Sequence, residues 1–251
     1  MIRTPQEHPV LRVATWNIHK GVQGLGPAKR LEIHNIGHAI EQLDADLVCL
    51  QEVRLHNRRE ARRFERWPQQ SQAEFLAPEG YEPVYRTNAI TRHGEHGNAL
   101  LSRWPVLSHQ HEDMSDHRFE QRGLLHTEVQ LAGRTVHVLV VHLGLVPASR
   151  VRQVVQLEAY IRREIADADP VIVAGDFNDW GQGLTRQLAR AGLHEHEGSR
   201  TPTYPARLPL AQLDHVYVRG LRPVSVMVPQ GRIWRQMSDH LPLVAELSWQ
   251  D

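Results

Sequence analysis

Six short segments set acidic, amide and imidazole side chains directly against apolar runs: Trp16-Asn17-Ile18-His19, Leu50-Gln51-Glu52-Val53, Val141-His142-Leu143, Ala174-Gly175-Asp176-Phe177-Asn178-Asp179, Leu213-Asp214-His215 and Ser238-Asp239-His240. A buried strand does not choose such residues for packing. In an α/β sheet, polar residues at strand ends converge on one rim, so groups spread along nearly the whole chain can form a single site. Carboxylate and amide oxygens dominate this set. With Cys49 the only cysteine, thiolate ligation is excluded, and hard oxygen donors favour Mg²⁺ or Mn²⁺ over zinc.

The elements that must position these residues follow from hydrophobic spacing. Leu11 to Trp16 and Leu47 to Val53 are continuous apolar strands, and Ala28 to Leu43 between them has Leu31, Ile36, Ala39, Ile40 and Leu43 near helical spacing. From Tyr81 the pattern becomes strand-rich: Tyr81 to Arg86, Asn98 to Ser102, Gly123 to Leu131 and Arg134 to Leu143, the last pair joined by Ala132-Gly133 as a hairpin. Arg150 to Ile165 and Leu184 to Leu193 are expected helices, Val171 to Ala174 a buried strand, and the valines of 216–218 and 224–228 together with Val244 to Leu247 three further strands. Helices bracketing many mixed strands predict an α/β protein in which two packed sheets are covered by helices. No repeat or Pro/Gly/Ser linker divides the chain, so one domain spanning 1–251 is expected. The segment Ser199 to Leu213, with three prolines, reads as a surface loop.

Taken singly, each motif has an ordinary explanation: Gly-Asp-Phe-Asn forms turns and Ser-Asp-His caps loops. Their order and domain-scale spacing are another matter. From Thr15-Trp16-Asn17 to Ser238-Asp239-His240 the chain resembles the endonuclease/exonuclease/phosphatase superfamily, which includes type I deoxyribonuclease, exonuclease III, neutral sphingomyelinase and inositol polyphosphate 5-phosphatases. The resemblance implies a four-layer α/β sandwich of the DNase I type, two packed mixed β-sheets flanked by helices, and metal-dependent hydrolysis of phosphate esters by in-line attack of water. It implies that Glu52 is the main metal ligand, aided by Asn17 and Asp239, with Mg²⁺ or Mn²⁺ as cofactor. Asp176 is then the general base or water-orienting group, and Asn178 holds phosphate from the same side of an extended segment. Asp214 and His240 form a dyad whose charged ring holds a phosphate oxygen, although the same pair could instead serve as the base. His142 resembles a second phosphate-side histidine, and Arg122 could present a forked donor to phosphate. Asn98 is expected to hold a strand end. One departure concerns His19, which stands where several nuclease relatives carry an acidic residue.

The composition sets limits on the substrate. Acidic and basic residues cancel at 29 each, so the chain as a whole is no strongly basic nucleic-acid binder. The exception is Arg54 to Arg66, where six arginines face Glu60 and Glu65, a local excess of four. It reads equally as an electropositive wall beside the site or as a solvated helical face. Trp180, four residues after Asp176, is the tryptophan best placed to touch a substrate. Most other histidines, among them His109, His111, His117, His194 and His196, are expected at the surface, with His215 turned away from Asp214. No run is long enough to span a membrane, Met1 to Val10 shows no apolar signal region, and a single cysteine suits a reducing compartment. A cytoplasmic monomer is expected, acting on a phosphodiester of nucleic acid or of a phospholipid or sphingolipid headgroup, with no protein partner inferable. The motifs of inositol phosphatases are absent, which favours diester over monoester hydrolysis. A catalytically silent phosphate-binding domain is the alternative of another class.

Overall fold

The computed structural model describes residues 10–181, 183–198 and 200–250; the segment 1–9 just read for a signal region lies outside them. In chain order the strands are β1 (Leu11–Asn17), β2 (Val22–Gln23), β3 (Arg30–Leu31), β4 (Leu47–Asn57), β5 (Glu82–Thr91), β6 (Gly94–Ser102) and β7 (Val106–Asp113). They continue as β8 (Gly123–Leu131), β9 (Arg134–His142), β10 (Val171–Asp176), β11 (Asp214–Arg219), β12 (Leu221–Met227) and β13 (Leu243–Trp249). The helices are α1 (Ile33–Leu43), α2 (Arg58–Arg63), α3 (Gln72–Leu76), α4 (Pro147–Glu164), α5 (Gly183–Arg190) and α6 (Trp234–Met237).

Two mixed sheets form, one in the order β12-β13-β1-β4-β6-β5 and the other β11-β10-β9-β8-β7. Each has one parallel pair, β1 with β4 and β9 with β10. Alternation along the strands divides the apolar residues into three cores. Leu11, Val13, Leu47, Cys49, Val136, Val138, Val140, Ile172, Ala174, Val216 and Val218 meet between the sheets. Their neighbours in sequence face outward: Ala14, Trp16, Val48 and Leu50 pack on Ile33, Ile36, Ile40 and Leu43 of α1. On the other side Leu139, Val141, Val171 and Val173 pack on Val154, Leu157 and Ile161 of α4 and on Leu184 and Leu188 of α5. The result is helix, sheet, sheet, helix, the expected four-layer α/β sandwich.

Three details differ from the sequence expectation. The first helix begins at Ile33, because Gly26 to Ala28 make a 3₁₀ turn and Arg30–Leu31 pair with Val22–Gln23. β7 was not anticipated; it is an edge strand with mostly polar, exposed side chains, so it lacks an apolar signature. The short helices α2 and α3 also escaped periodicity. Caps hold them instead: Asn57 accepts from the Glu60 amide at 2.9 Å, and Ser71 with Glu74 forms a reciprocal capping box.

Candidate active site

The inner-face rows of the sandwich end in polar residues. Asn17 continues the parity of Leu11 and Val13, His142 that of Val136, Val138 and Val140, Asp176 that of Ile172 and Ala174, and Asp214 that of Val216 and Val218. Where the apolar row stops, the next side chain on the same face is therefore a polar one at the rim of the seam between the sheets. Register does the rest: Asp176 pairs with His142 on one side and Asp214 on the other. Gly175 makes this close pairing possible, since a Cβ there would lie 1.9 Å from the Val141 carbonyl oxygen.

Across the seam, Asn17 Nδ2 donates to Asp176 Oδ2 at 3.1 Å. The same oxygen lies 3.5 Å from His142 Nε2 and 3.6 Å from His240 Nε2. Asp176 Oδ1 accepts from the Asn178 amide at 2.9 Å. The other nitrogen of His240, Nδ1, lies 2.8 Å from Asp214 Oδ2, and its backbone carbonyl accepts from the Trp16 indole at 2.9 Å. Ser238 Oγ donates to the Asn17 carbonyl at 2.7 Å, joining the loop before β13 to the end of β1.

Burial and charge then separate the protonation states. Burial raises the Asp176 pKa, and the Asp214 charge adds to this against the pull of His240, leaving it at about 6. Burial opposes the charged form of His240, but Asp214, Asp176 and Asp239 outweigh it and raise the ring to about 10. His142 goes the other way, held well below 6.5 by burial and by Arg122, so it is neutral at pH 7. The seam thus holds an acid able to ionise near neutrality, a charged imidazole and a neutral imidazole around one carboxylate.

Glu52 comes to the rim by a different device. The β4–β6 register moves from Leu50 opposite Ala99 to Val53 opposite Gly97, a bulge that puts Gln51 and Glu52 against the single residue Asn98. Glu52 adopts φ of +58°, a left-handed conformation that a glutamate seldom takes without tertiary support. Its Oε2 lies 2.5 Å from Lys20 Nζ and 4.0 Å from His19 Nδ1, and His19 Nδ1 lies 3.1 Å from Asp239 Oδ2. Burial works against ionisation of Glu52, yet the charge of Lys20 and its hydrogen bond keep the carboxyl below the usual carboxylate range. Asp239, also partly buried, is likewise held low, by His19 and His240. Asn17 Oδ1 faces this side, accepting from the His19 amide at 3.1 Å. Two ionised carboxylates and an amide oxygen around existing positive charge fit Mg²⁺ or Mn²⁺ by donor type. The tighter trio Asp176, Asp214 and His240, whose ligand atoms lie within 4.8 Å of one another, suits a proton better than a metal, because both ring nitrogens already face carboxylates.

Other residues sit differently from their sequence expectation. β10 stops at Asp176, so Asn178 is not in extended register with it; at φ of +51° it donates from Nδ2 to the Leu143 carbonyl at 3.0 Å. Arg122 is beside the site, but its guanidinium donates to the Leu143 carbonyl and to Glu120 at 3.2 and 2.9 Å. Asn98 donates to the carbonyls of Gly123 and Val140, both at 2.9 Å, bridging the two sheets. His215 turns away from Asp214 and meets Glu195 Oε2 at 2.8 Å. The Arg54 to Arg66 segment carries α2, tied down by Lys29 to Glu60 at 2.6 Å and Arg63 to the Gly26 carbonyl at 2.5 Å. Lys20 and Tyr204 were missed. Tyr204 packs 4.8 Å from the His240 ring and meets Trp180 edge-on at 5.7 Å, and neither contact has a local sequence signal.

Comparison with known proteins identifies the family. Residues 14–240 match the model of the Endonuclease/Exonuclease/phosphatase family. The chain is 38% identical over 244 residues to the uncharacterized protein YbhP of Escherichia coli (strain K12), covering 94% of this chain and 95% of that one. Among solved structures, Bacteroides thetaiotaomicron mannosyl-6-phosphatase Bt3783 superposes with a TM-score of 0.71 at 18% identity, covering 95% of this chain and 100% of that one. D. rerio TDP2 complexed with single strand DNA product does so with a TM-score of 0.66 at 16% identity, covering 95% and 99%. A match that begins beside Asn17 and ends at His240, joined to a full-length relative, establishes that the chain belongs to the endonuclease/exonuclease/phosphatase family.

Proposed function

We propose that the protein is a Mg²⁺- or Mn²⁺-dependent phosphodiesterase, acting as one catalytic domain and as a monomer. The observation that carries this reading is the arrangement around Asp176: a carboxylate with a pKa of about 6 faces a charged His240 and a neutral His142 through one oxygen. Asp176 takes the proton of the attacking water, its orientation held by Asn17 Nδ2 and the Asn178 amide. His240 keeps its charge on Asp214 and holds a non-bridging phosphate oxygen. The carboxylates around His240 raise its pKa and favour the protonated ring, which supports Asp176 as the base over the Asp214–His240 pair. Glu52, Asp239 and Asn17 would hold the metal, which supplies charge neutralisation at the phosphoryl group.

For the substrate, nucleic acid is the first proposal. Trp180 is 60% exposed beside Tyr204, whose ring packs on His240, and so offers an aromatic face next to the phosphate-holding imidazole. The fold alone does not choose, since one structural neighbour is named a phosphatase and another holds a DNA product. Among the described residues no helix is long and apolar enough to cross a membrane, and the single cysteine is buried; we propose a cytoplasmic location. The test is hydrolysis of bis-p-nitrophenyl phosphate and p-nitrophenyl phosphate with Mg²⁺, Mn²⁺ or EDTA, for wild type and His240→Ala. Diester turnover that needs both metal and His240 is expected. Turnover of the monoester alone would replace the diesterase reading by a phosphatase, and single-stranded oligonucleotide against phospholipid then separates the substrate classes.

A further inference from the structure

A second cluster of buried histidines lies far from the seam. His126 on β8 and His137 on β9 share parity with Leu124 and with Leu139 and Val141, so they occupy the outer face of the five-stranded sheet, beneath α4. Glu128 is directly opposite His137 in the β8–β9 register, and both therefore project on the same side. His126 Nε2 and His137 Nδ1 face each other at 2.9 Å, and one ligand atom of each of His126, Glu128 and His137 lies within 4.8 Å of the other two. His137 precedes His142 by five residues along β9, which at the rise of a strand is about 16 Å. The proposed catalytic mechanism uses none of these side chains.

We propose that His126, His137 and Glu128 form a second metal site, selective for Zn²⁺ or a similar borderline ion, that ties β8 to β9 beneath α4. Two imidazole nitrogens and one carboxylate oxygen, with water as the fourth ligand, are a zinc donor set, unlike the all-oxygen set at Glu52. The outward nitrogens have the partners a ligating imidazole needs. His126 Nδ1 lies 2.9 Å from the Tyr160 hydroxyl, and His137 Nε2 faces Asp169 Oδ2 at 3.6 Å. A carboxylate only accepts, so Asp169 favours the proton on Nε2 of His137 and leaves the Nδ1 lone pair aimed at His126. When the Tyr160 oxygen accepts from His126 Nδ1, the Nε2 lone pair points at the same place, beside the Glu128 carboxylate. Zn–N bonds of about 2.0–2.1 Å put tetrahedral ligands about 3.3 Å apart, so the pair must open by about 0.4 Å and both rings must turn until their lone pairs converge on the ion. Glu128 and Asp169 are both partly exposed, which gives an ion a route in.

The test is Co²⁺ titration of the full-length protein in excess Mg²⁺, read by visible absorption, with Zn²⁺ competition and thermal unfolding. Tetrahedral Co²⁺ with imidazole ligands absorbs strongly, whereas Co²⁺ in an octahedral oxygen site absorbs weakly. One strongly absorbing Co²⁺ per chain is expected, displaced by Zn²⁺, retained in Glu52→Gln and lost in His126→Gln. Glu128→Gln, at a partly exposed position that keeps its shape, should fold normally and bind at least tenfold more weakly, with diester turnover unchanged. Absence of the intense bands in folded wild type, or their survival unweakened in Glu128→Gln, would overturn the site and leave the pair as a hydrogen-bonded link from Tyr160 to Asp169. Loss of the bands in Glu52→Gln alone would assign them to the seam and overturn it equally.

Discussion

His240 at the seam and His126 on the outer face are both buried, yet one is driven up to about 10 and the other down to about 4. Desolvation disfavours the charged ring in both places. The difference lies in what faces it. Asp214, Asp176 and Asp239 surround His240, whereas the closest ring partner of His126 is another imidazole and Glu128 offers only a weaker opposing charge. Burial amplifies whichever charge is nearby rather than fixing the outcome. The carboxylate-rich seam is built to hold a proton, and the imidazole-rich face to offer lone pairs, though both are made of histidine and acid.

The largest effect expected at the seam comes from Glu52→Ala, which removes the carboxylate proposed as the principal metal ligand and should bring Mg²⁺-dependent diester turnover to background. Steady-state kinetics over a metal titration checks it, and near-normal turnover would remove Glu52 from the metal set. Asp176→Asn keeps the shape but not the basicity, and should lower kcat by ~10² or more with unfolding little changed. The rise in kcat/KM through about pH 6 should vanish with it; persistence of that limb would assign it to another group.

The two histidines should also give the metal-free protein opposite stability limbs. His240, raised from 6.5, stabilises fully below pH 6.5 and loses that contribution as pH climbs toward 10. His126, lowered from 6.5, contributes fully above pH 6.5 and loses it as pH falls through about 4. NMR titration of the ring protons, with unfolding midpoints across pH, reads both; equal midpoints for the two rings would dissolve the contrast. The smallest effect is expected from Trp180→Ala, about five- to tenfold in KM for a single-stranded oligonucleotide and none for bis-p-nitrophenyl phosphate. An unchanged oligonucleotide KM would argue against stacking there.

Much of the fold was legible because its signals are local. The apolar runs of β1, β9 and β10 mark buried strands, and the polar residues that end them, Asn17, His142 and Asp176, stand at the seam because period-two alternation carries them onto the inner face. The edge strand β7 was hidden because half-solvated polar side chains leave no apolar trace. Asn178 was assigned to an extended register that ends two residues before it. The bulge that aims Glu52 could not be seen either, since it depends on how β4 pairs with β6.

By itself the sequence determined the residue types, their order and the alternating rows that place a polar group at the end of each inner-facing strand, because these depend on neighbours only a few positions apart. Only the tertiary structure decided that Lys20 would lie on Glu52, that Tyr204 would cover His240, and that His126 would meet His137 and Glu128 away from the seam. Those encounters join side chains from different elements, and the ionisation states they set depend on separations of a few ångströms that no local pattern encodes.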